Sequence, residues 1–518
     1  MDAETIHRRR WLTLGVLSLS LVIIGLDNTI LNVALPTLVR ELGASASELQ
    51  WMVDSYVLVF AGLLLTMGAL GDRFGRKLAL YAGLVIFGLA SVFAAFADTA
   101  TALIVARAFM GVGGALIMPS TLSIITNIFT GAERGRAIAA WAAVAGLGIV
   151  IGPALGGWLL EHFWWGSVFL INVFIVAVAL VLGFFLVPES KDPAATPLDP
   201  MGALLSIGGL TALVYAIIEA PAQGWTDGIV LAGFGLAVLL LGLFLWWERR
   251  SEHPMLRLEF FRNPRFSAAS AAIAMVFFAM FGTIFLLTQY LQFVLGFSPL
   301  EAGIRVMPVA TMVIAAPLAA RVVEKVGTKK VVTVGLTVVA IAMGWLALID
   351  VSSGYGHVAI TLSLLGLGMG AAMAPATESI MGSLPLAKAG VGSAMNDTTR
   401  QVGGALGVAI LGSVLASSYG AAMAPFVANL PPEAAALAGD SIGGAIRVAG
   451  QIGESAAPLI AAANEAFVNA MTSAVWVASA IALIGAVLTW RYLPAHELDP
   501  ESTAHLYGDR TVAEPSEA

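Results

Sequence analysis

The segment GALGDRFGRKL, residues 68–78, occurs a second time in degenerate form as ARVVEKVGTKK, residues 320–330. The order acid, base, apolar residue, glycine recurs at an offset of 252 positions, which aligns Asp72 with Glu324, Arg73 with Lys325, Gly75 with Gly327 and Lys77 with Lys329. In both copies the charged segment separates two long apolar runs. The sequence therefore predicts two related halves.

A second repeated motif agrees with the first to within one residue. GPALG (152–156) and GGALG (403–407) lie 251 positions apart. Two six-helix halves with two helices inserted between them give this spacing. Internal repeats of this kind are typical of secondary transporters, in which the substrate site lies at the repeat interface near the middle of the membrane.

The composition excludes a large soluble enzyme. Of 518 residues, 59% are hydrophobic and 11% are charged, and the mean hydropathy is +0.90. A soluble domain carries about 25% charged residues. The chain has no cysteine, which removes disulfides, thiolate metal ligands and cysteine nucleophiles. The basic start MDAETIHRRRW precedes an apolar run without a cleavage site, so we expect a retained first span.

Apolar runs of about twenty residues predict fourteen membrane-spanning helices. Their expected limits are 11–32, 49–70, 79–97, 102–124, 137–160, 166–187, 202–220, 229–247, 267–291, 300–320, 331–350, 357–379, 392–416 and 472–492. The fold class is an all-α polytopic membrane protein. We divide it into a six-helix bundle (1–187), a linker with two inserted helices (188–266), a second six-helix bundle (267–492) with an outer loop (417–471), and a disordered cytoplasmic tail (493–518).

The basic residues predict the orientation. If the N-terminus is cytoplasmic, 21 of the 26 Lys and Arg residues lie on the cytoplasmic side, as the positive-inside rule requires. An even number of spans puts both termini on that side. Within the predicted outer loop, the apolar spacing around APLIAAANEAFVNAM indicates one or two short surface helices.

Three acidic residues lie where the chain is expected to cross the membrane. Asp27 and Asn28 interrupt the apolar stretch LVIIGLDNTILNVALP (21–36), while Asp54 and Asp397 belong to other spans. A carboxylate at bilayer depth is disfavoured by about 2.5–3.5 kcal/mol on insertion scales. A proton or a bound cation relieves this cost, and the two exclude each other on one carboxylate. That competition is itself antiport.

Each acid also has a structural interpretation. Asp27 would hydrogen bond a neighbouring helix, Asp54 would be solvated near the outer headgroups, and Asp397 would cap its helix or pair with Arg400. In the ninth span, a stripe at helical spacing either lines an aromatic cavity or packs against another helix. The stripe consists of Phe285, Gln289 and Phe293.

Two glycine-containing segments indicate close helix contacts. In GLGIVIGPALGG (146–157) three glycines share one helix face, and Pro153 removes a backbone donor and can bend the span. These glycines are Gly148, Gly152 and Gly156. In RAFMGVGGA, Arg107 shares a face with small residues, so its guanidinium faces a helix contact rather than lipid.

These motifs together resemble those of the major facilitator superfamily. Its signature loop is matched by Gly68, Asp72, Arg73, Gly75 and Arg76, the antiporter motif by 146–157, and the fourth-helix motif by Arg107. LDNTILNVALP, WMVDSYVL (51–58) and NDTTRQVGGALG (396–407) resemble the fourteen-span drug–proton antiporter branch.

The resemblance implies proton-coupled efflux of hydrophobic, cationic drugs across the bacterial cytoplasmic membrane. It implies that the signature loop latches the two halves in the outward-open state and that Arg107 is linked to proton transfer. We assign Asp27, Arg107 and Asp397 to proton coupling. We assign Asp54, Asn28, Phe285, Gln289 and Phe293 to substrate binding.

Other partners and activities are not expected. There is no G-x-x-x-x-G-K-[ST] loop for ATP and no histidine cluster for a metal, so we expect neither an enzyme nor a cofactor beyond the proton gradient. The expected partners are a small hydrophobic or cationic substrate, protons and the lipid bilayer, with no nucleic acid and a monomeric state. The alternatives are export of a neutral or anionic metabolite or of a lipid, and a membrane sensor built on a transporter fold.

Overall fold

The computed structural model describes residues 3–129, 131–191, 198–383 and 389–494, and within these ranges the regular secondary structure is helical. The seventeen α-helices are α1 Ala3–Leu42, α2 Ala46–Phe74, α3 Arg76–Ala95, α4 Ala100–Ile128, α5 Gly131–His162, α6 Ser167–Leu186, α7 Pro200–Gln223, α8 Gly228–Arg250, α9 Pro264–Gln289, α10 Pro299–Arg305, α11 Thr311–Val326, α12 Thr328–Leu346, α13 Tyr355–Gly382, α14 Ala389–Val427, α15 Pro432–Asp440, α16 Ile442–Ile452 and α17 Ala457–Tyr492. Beyond residue 494, the predicted disordered tail lies outside the described residues.

Local sequence signals set several helix ends. Ser45 and Glu48 form a capping box at the start of α2, which satisfies two otherwise unpaired backbone N–H groups. Gly75 ends α2 with φ +135°, and Gly327 ends α11 with φ +87°. Because L side chains rarely adopt these angles, both copies of the repeated loop need a glycine at this turn.

The packing confirms the internal repeat. In α5, Gly152 and Gly156 lie against the backbone of α1, where a Cβ on either would meet Leu26 O or Ile30 O at 3.2 Å. Gly403 and Gly407 of α14 lie in the same way against Ala274 and Phe278 of α9. Residues 251 positions apart thus make equivalent contacts in the two halves.

A second pair of helix crossings, at glycines outside the two repeated motifs, is also repeated in the two halves. Gly83 of α3 and Gly113 of α4 lie so close that a Cβ on either would meet the other's carbonyl oxygen within 2.9 Å. Gly335 of α12 and Gly368 of α13 make the same reciprocal contact, within 2.8 Å. Small residues at such crossings let membrane helices approach closely.

The number of candidate spans comes within one of the fourteen that the sequence predicts. In the described part of the chain, thirteen helices or helix pairs are long and apolar enough to cross a membrane. Helix α5, with 32 residues, is long enough to be the fourteenth. Of the inserted pair, α7 packs against both α2 and α14, while α8 packs mainly on α7 and is largely exposed.

Two predicted segments differ from the structure. The predicted span 300–320 is α10 and α11 joined by a 3₁₀ turn, Met307–Ala310, because Pro308 cannot donate an intrahelical hydrogen bond. The predicted outer loop 417–471 is largely helical. Helix α14 continues to Val427 and α17 begins at Ala457, so APLIAAANEAFVNAM belongs to the last span. Two short helices, α15 and α16, lie between them, but upstream of the segment whose spacing predicted short surface helices, so that prediction is wrong in its position. We call residues 432–452 the outer hairpin.

The two bundles meet at the predicted outer end of the molecule. Among the described residues, the hydrogen bonds between them are Gln292 Nε2 to Val33 O (2.8 Å), Leu300 N to Glu161 Oε1 (3.2 Å) and Ala46 N to Asp440 Oδ2 (2.8 Å). Val33 and Glu161 belong to α1 and α5, and Ala46 is the first residue of α2, while their partners follow α9 or belong to α10 and α15. The two bundles therefore contact each other at the end opposite the signature loop.

Candidate functional site

A buried acid–base cluster lies inside the N-terminal bundle. Asp27 of α1 is completely buried, and Arg107 of α4 is 1% exposed. Arg107 Nη1 donates to Asp27 Oδ2, which closes an ion pair between residues 80 positions apart. Asn172 Nδ2 of α6 donates to Asp27 Oδ1 at 3.4 Å. Three helices therefore position one carboxylate.

The remaining contacts of Arg107 fix its orientation. Its Nε donates to the carbonyl oxygen of Met52 at 2.9 Å, and its Cζ lies 4.4 Å from the centre of the Tyr56 ring. The Met110 sulfur lies at 4.0 Å from Nη1. A buried charge pair is stable only when hydrogen bonds satisfy its other polar atoms. The guanidinium meets this condition through α2, and its polar partner is Asp27.

Asp54 lies in the same bundle but without a partner. It is completely buried in α2, and neither carboxylate oxygen has a hydrogen-bond partner. The structure therefore contradicts the alternative in which Asp54 is solvated among headgroups. Gln50, one turn earlier, packs against Gly412 of α14, so this face of α2 is directed at the C-terminal bundle. An unpaired buried carboxylate is relieved by a proton or by a cation.

Asp397 has a partner on its own helix. Its Oδ1 lies 3.5 Å from Arg400 Nη1, and Asp397 is 8% exposed. Arg400 also donates to Thr377 Oγ1 at 3.3 Å and lies over the ring of Phe277 at 5.6 Å. The structure thus shows the pairing with Arg400. Asp397 and Asp27 belong to different bundles and are not brought together.

The predicted stripe on α9 lines a small pocket between the bundles. Phe285 and Gln289 face Gln50, Tyr419 and Phe467 across a cavity of about 20 Å³, and Asp440 and Ile442 of the outer hairpin border it. Phe293 contacts the hairpin at Gly443 instead. Asn28 is not part of this pocket: its Nδ2 donates to Ile24 O of its own helix at 2.9 Å.

The signature loop is tied to the linker that follows α6. Asp72 Oδ1 accepts from Arg76 Nε at 2.6 Å, and Arg76 N donates to Ser190 O at 3.0 Å. The Glu189 carboxylate accepts from Lys77 N at 3.3 Å and fills the space beside Gly75. Arg73 is exposed, and Gly68 packs against Pro119 of α4.

The predicted glycine strip is a close helix contact. Gly148, Gly152 and Gly156 of α5 all lie against α1. The backbone of α1 passes within 3.2 Å of the position that a Cβ would take on each of them. The carbonyl of Pro153 lies against Gly303 of α10, so the same stretch of α5 meets both bundles. The strip therefore couples α1, which carries Asp27, to the bundle interface.

Sequence reasoning missed three polar residues near the site. Asn172 is the one amide in the very apolar α6, and the same signal that singled out Asp27 could have found it. Gln50 and Asp440 gave no signal, because their burial depends on contacts between distant segments. In the described residues, no group of three or more His, Asp or Glu side chains could hold a metal ion.

Comparison with known proteins agrees with this architecture. The Major Facilitator Superfamily profile matches residues 17–408. The multidrug efflux pump LfrA of Mycolicibacterium smegmatis is 37% identical over 93% of this chain and 95% of its own. The methyl viologen resistance protein SmvA of Salmonella typhimurium is 36% identical over 93% and 98%. The tetracenomycin C resistance and export protein of Streptomyces glaucescens is 33% identical over 94% and 92%.

Solved structures share the fold at low sequence identity. An inward-facing bacterial homologue of the human lysosomal transporter Spinster aligns with a TM-score of 0.64 at 20% identity, covering 93% of this chain and 98% of that one. The xylose transporter XylE from E. coli aligns with a TM-score of 0.60 at 14% identity, covering 95% and 99%. By its repeat, its helix packing and its match over three quarters of its length, this chain belongs to the Major Facilitator Superfamily.

Proposed function

We propose that the protein exports hydrophobic, cationic compounds from the bacterial cytoplasm in exchange for protons. Three relatives that match over nearly the whole chain are named for multidrug efflux, methyl viologen resistance and tetracenomycin C export. The observation that carries the proposal is the presence of two kinds of buried acid in one bundle. Asp27 is paired with Arg107, and Asp54 is unpaired.

The paired acid gives a physical route to coupling. While Asp27 is ionised, its pair with Arg107 is neutral overall, and a cation can approach the bundle. When Asp27 takes a proton, Arg107 keeps its charge without a counterion and repels a cation in a low-dielectric interior. Proton uptake at Asp27 therefore opposes cation binding at Asp54, which is the requirement for exchange.

The energetics favour one proton for each monovalent cation. Moving one positive charge outward against an inside-negative potential costs about 2.3 kcal/mol per 100 mV, and one returning proton recovers the same amount. Such an exchange is electroneutral and is driven by the pH difference. In this proposal the protein is a monomer in the cytoplasmic membrane with both termini in the cytoplasm, Asp397 takes part in proton coupling, and Asn28, Phe285, Gln289 and Phe293 contact the substrate.

Dye efflux from vesicles with an imposed pH gradient tests the proposal. A cationic dye should leave the compartment that corresponds to the cytoplasm only while the gradient exists, and a neutral analogue of the same size should leave much more slowly. Equal export of the neutral analogue would favour a metabolite or lipid exporter. A conformational response to the dye without any gradient-dependent movement would favour a sensor.

A further inference from the structure

A second pair of acids lies away from the bundle interface, at the predicted cytoplasmic end of the inserted helices. Asp199 caps the start of α7 and is 8% exposed, and Glu248 lies in the last turn of α8 and is 4% exposed. Neither residue is part of the proposed exchange site.

One oxygen of each carboxyl group is well satisfied. Asp199 Oδ1 accepts from Gly202 N and from Trp247 Nε1, both at 2.8 Å. Glu248 Oε2 accepts from Leu256 N at 2.9 Å. These bonds tie the start of α7, the end of α8 and the segment that leads into the second bundle to one point.

The other two oxygens lie beside Gly202, close to the same point, and have no donor. Asp199 Oδ2 and Glu248 Oε1 are buried and have no hydrogen-bond partner. Each lies 2.7 Å from the position that a Cβ would take on Gly202, so both point at the same spot from two elements. Two buried acceptors beside one another call for a proton, because two neighbouring carboxylates repel and cannot both be ionised at low cost.

We propose that Asp199 and Glu248 form a proton-binding site that holds one proton on Glu248 Oε1, which donates to Asp199 Oδ2. The helix ends assign the proton to Glu248. Asp199 lies at the N-terminus of α7, where the helix dipole and two donors stabilise a carboxylate. Glu248 lies at the C-terminus of α8, where the dipole disfavours negative charge.

The surroundings leave Asp199 as the charged group that faces Glu248 in the described structure. Arg249 and Arg250 on the same helix are exposed, as are Glu252 and His253 that follow. The segment after α8 contributes the backbone N–H of Leu256, and Met255 beside it contacts Thr66 of α2. The site therefore links the inserted helices to the segment that follows α8. Loss of the proton would weaken this link, because the two carboxylates would then repel each other.

The sign of the pH dependence follows from proton linkage. The folded protein holds a proton that an ordinary exposed carboxyl in the unfolded chain has already released near neutral pH. Folding stability must therefore fall as pH rises through the titration of the pair. A variant in which the pair cannot titrate lacks this part of the slope.

The test combines infrared spectroscopy with thermal unfolding of the purified full-length protein. The wild type should show a protonated-carboxyl C=O band near neutral pH that Glu248→Gln loses, and the variant's melting temperature should depend less on pH. Asp199→Asn should lose the band as well, because its amide donates to an ionised Glu248. Glu252→Gln, an exposed acid four residues further on, should change neither readout.

Three outcomes would overturn the proposal. The first is an unchanged band and an unchanged pH slope in both Glu248→Gln and Asp199→Asn. The second is a metal ion that copurifies with the wild type and is lost in the variants, since the pair would then hold a cation rather than a proton. The third is an equal loss of the band in Glu252→Gln.

Discussion

The first helices of the two bundles, α1 and α9, occupy equivalent places but have different chemistry. Helix α1 carries Asp27, Asn28 and Asn32 in its central part, and α9 carries Phe277, Phe281 and Phe285 in its own. At the offset of the repeated loop, Asp27 aligns with Ala279. Both helices are crossed by glycines from the fifth helix of their bundle.

This difference shows that the two halves share their helix packing but not the chemistry of their side chains. The repeat retains the contacts that let helices approach, because both bundles must close around a common axis. It does not retain the charged groups. The Asp27–Arg107 pair lies in the N-terminal bundle, while the C-terminal bundle carries the Asp397–Arg400 pair and contributes Phe285 and Gln289 to the pocket between the bundles. We infer that both bundles supply charged groups for coupling, and that the second bundle also supplies the aromatic residues that fit the shape of the substrate.

The largest effect is expected from Asp27. Asp27→Asn should abolish gradient-driven export of a cationic dye, because the pair with Arg107 can no longer gain and lose a proton. Asp27→Ala should in addition lower the free energy of unfolding by about 3–5 kcal/mol, since it leaves a buried guanidinium uncompensated. Dye efflux from vesicles and thermal unfolding in detergent measure the two effects.

Asp98→Asn is the matched control, because Asp98 is an exposed acid at the turn before α4. It should leave export and stability unchanged. If Asp27→Asn exported dye as well as this control does, the Asp27 carboxyl on α1 would not be the group that couples export to protons.

Asp54 should show opposite effects on stability and export. Asp54→Asn removes the charge of an unpaired buried carboxylate but leaves an unpaired amide, so we expect stability to rise by less than the cost of about 1–3 kcal/mol of an unsatisfied buried polar group. Export of a cation should fall at least tenfold, while export of a neutral analogue should change less. A parallel loss of both substrates, or a loss of stability, would assign Asp54 a packing role.

Substitution of Phe285 tests the role of the aromatic residues on α9. Phe285→Ala removes a ring from the pocket between the bundles, and an aromatic contact is worth about 0.5–1.5 kcal/mol. The apparent KM for an aromatic dye should therefore rise several-fold while the number of protons exchanged per dye stays constant. A changed proton count would show that Phe285 itself takes part in coupling and not only in substrate binding.

The smallest effect is expected at the outer hairpin. Burial raises the pKa of the Asp440 carboxyl, even though the hydrogen bond from Ala46 N opposes this, and the nearby Glu48 raises it further. When the hairpin leaves α2, Asp440 becomes exposed and its pKa returns to normal. Docking therefore takes up a proton, and lower external pH should favour the docked hairpin.

Spin labels can measure this docking, because the chain has no native cysteine. With labels at Ala436 and Ser47, the short-distance population should grow as the pH falls. In Asp440→Asn, which keeps an acceptor for Ala46 N, the population should not change with pH. A population that grows as pH rises would contradict the assigned direction.

Much of the fold could be predicted from local signals. The repeated charged loop, the glycines at its turns and the apolar runs fixed the two halves, the inserted pair and the number of spans. The helix ends in 417–471 could not be predicted from hydropathy, which identifies the part of a helix that lies in hydrocarbon. Helix α17 has 36 residues, more than a bilayer requires, and its Ala-rich first turns extend beyond the apolar window.

The residues of the candidate site could be predicted from the sequence, but the contacts between them could not. Asp27, Asp54 and Arg107 stand out because charge is rare at bilayer depth. Arg107 pairs with Asp27 rather than with Asp54 because of how far along their axes α1 and α4 cross. The small residues at such crossings allow helices to cross at many different levels, so the sequence does not determine the pairing. The burial of Asp440 depends on contact with Ala46, 394 positions away, which single-sequence patterns do not reveal.

Proton release on substrate binding tests the central claim most directly. Adding a cationic drug to unbuffered, detergent-purified wild-type protein should release protons in proportion to the drug bound. Asp27→Asn should bind the drug and release few or none. Equal release from the two proteins at equal occupancy would contradict the account, because the exchanged proton would then come from another group.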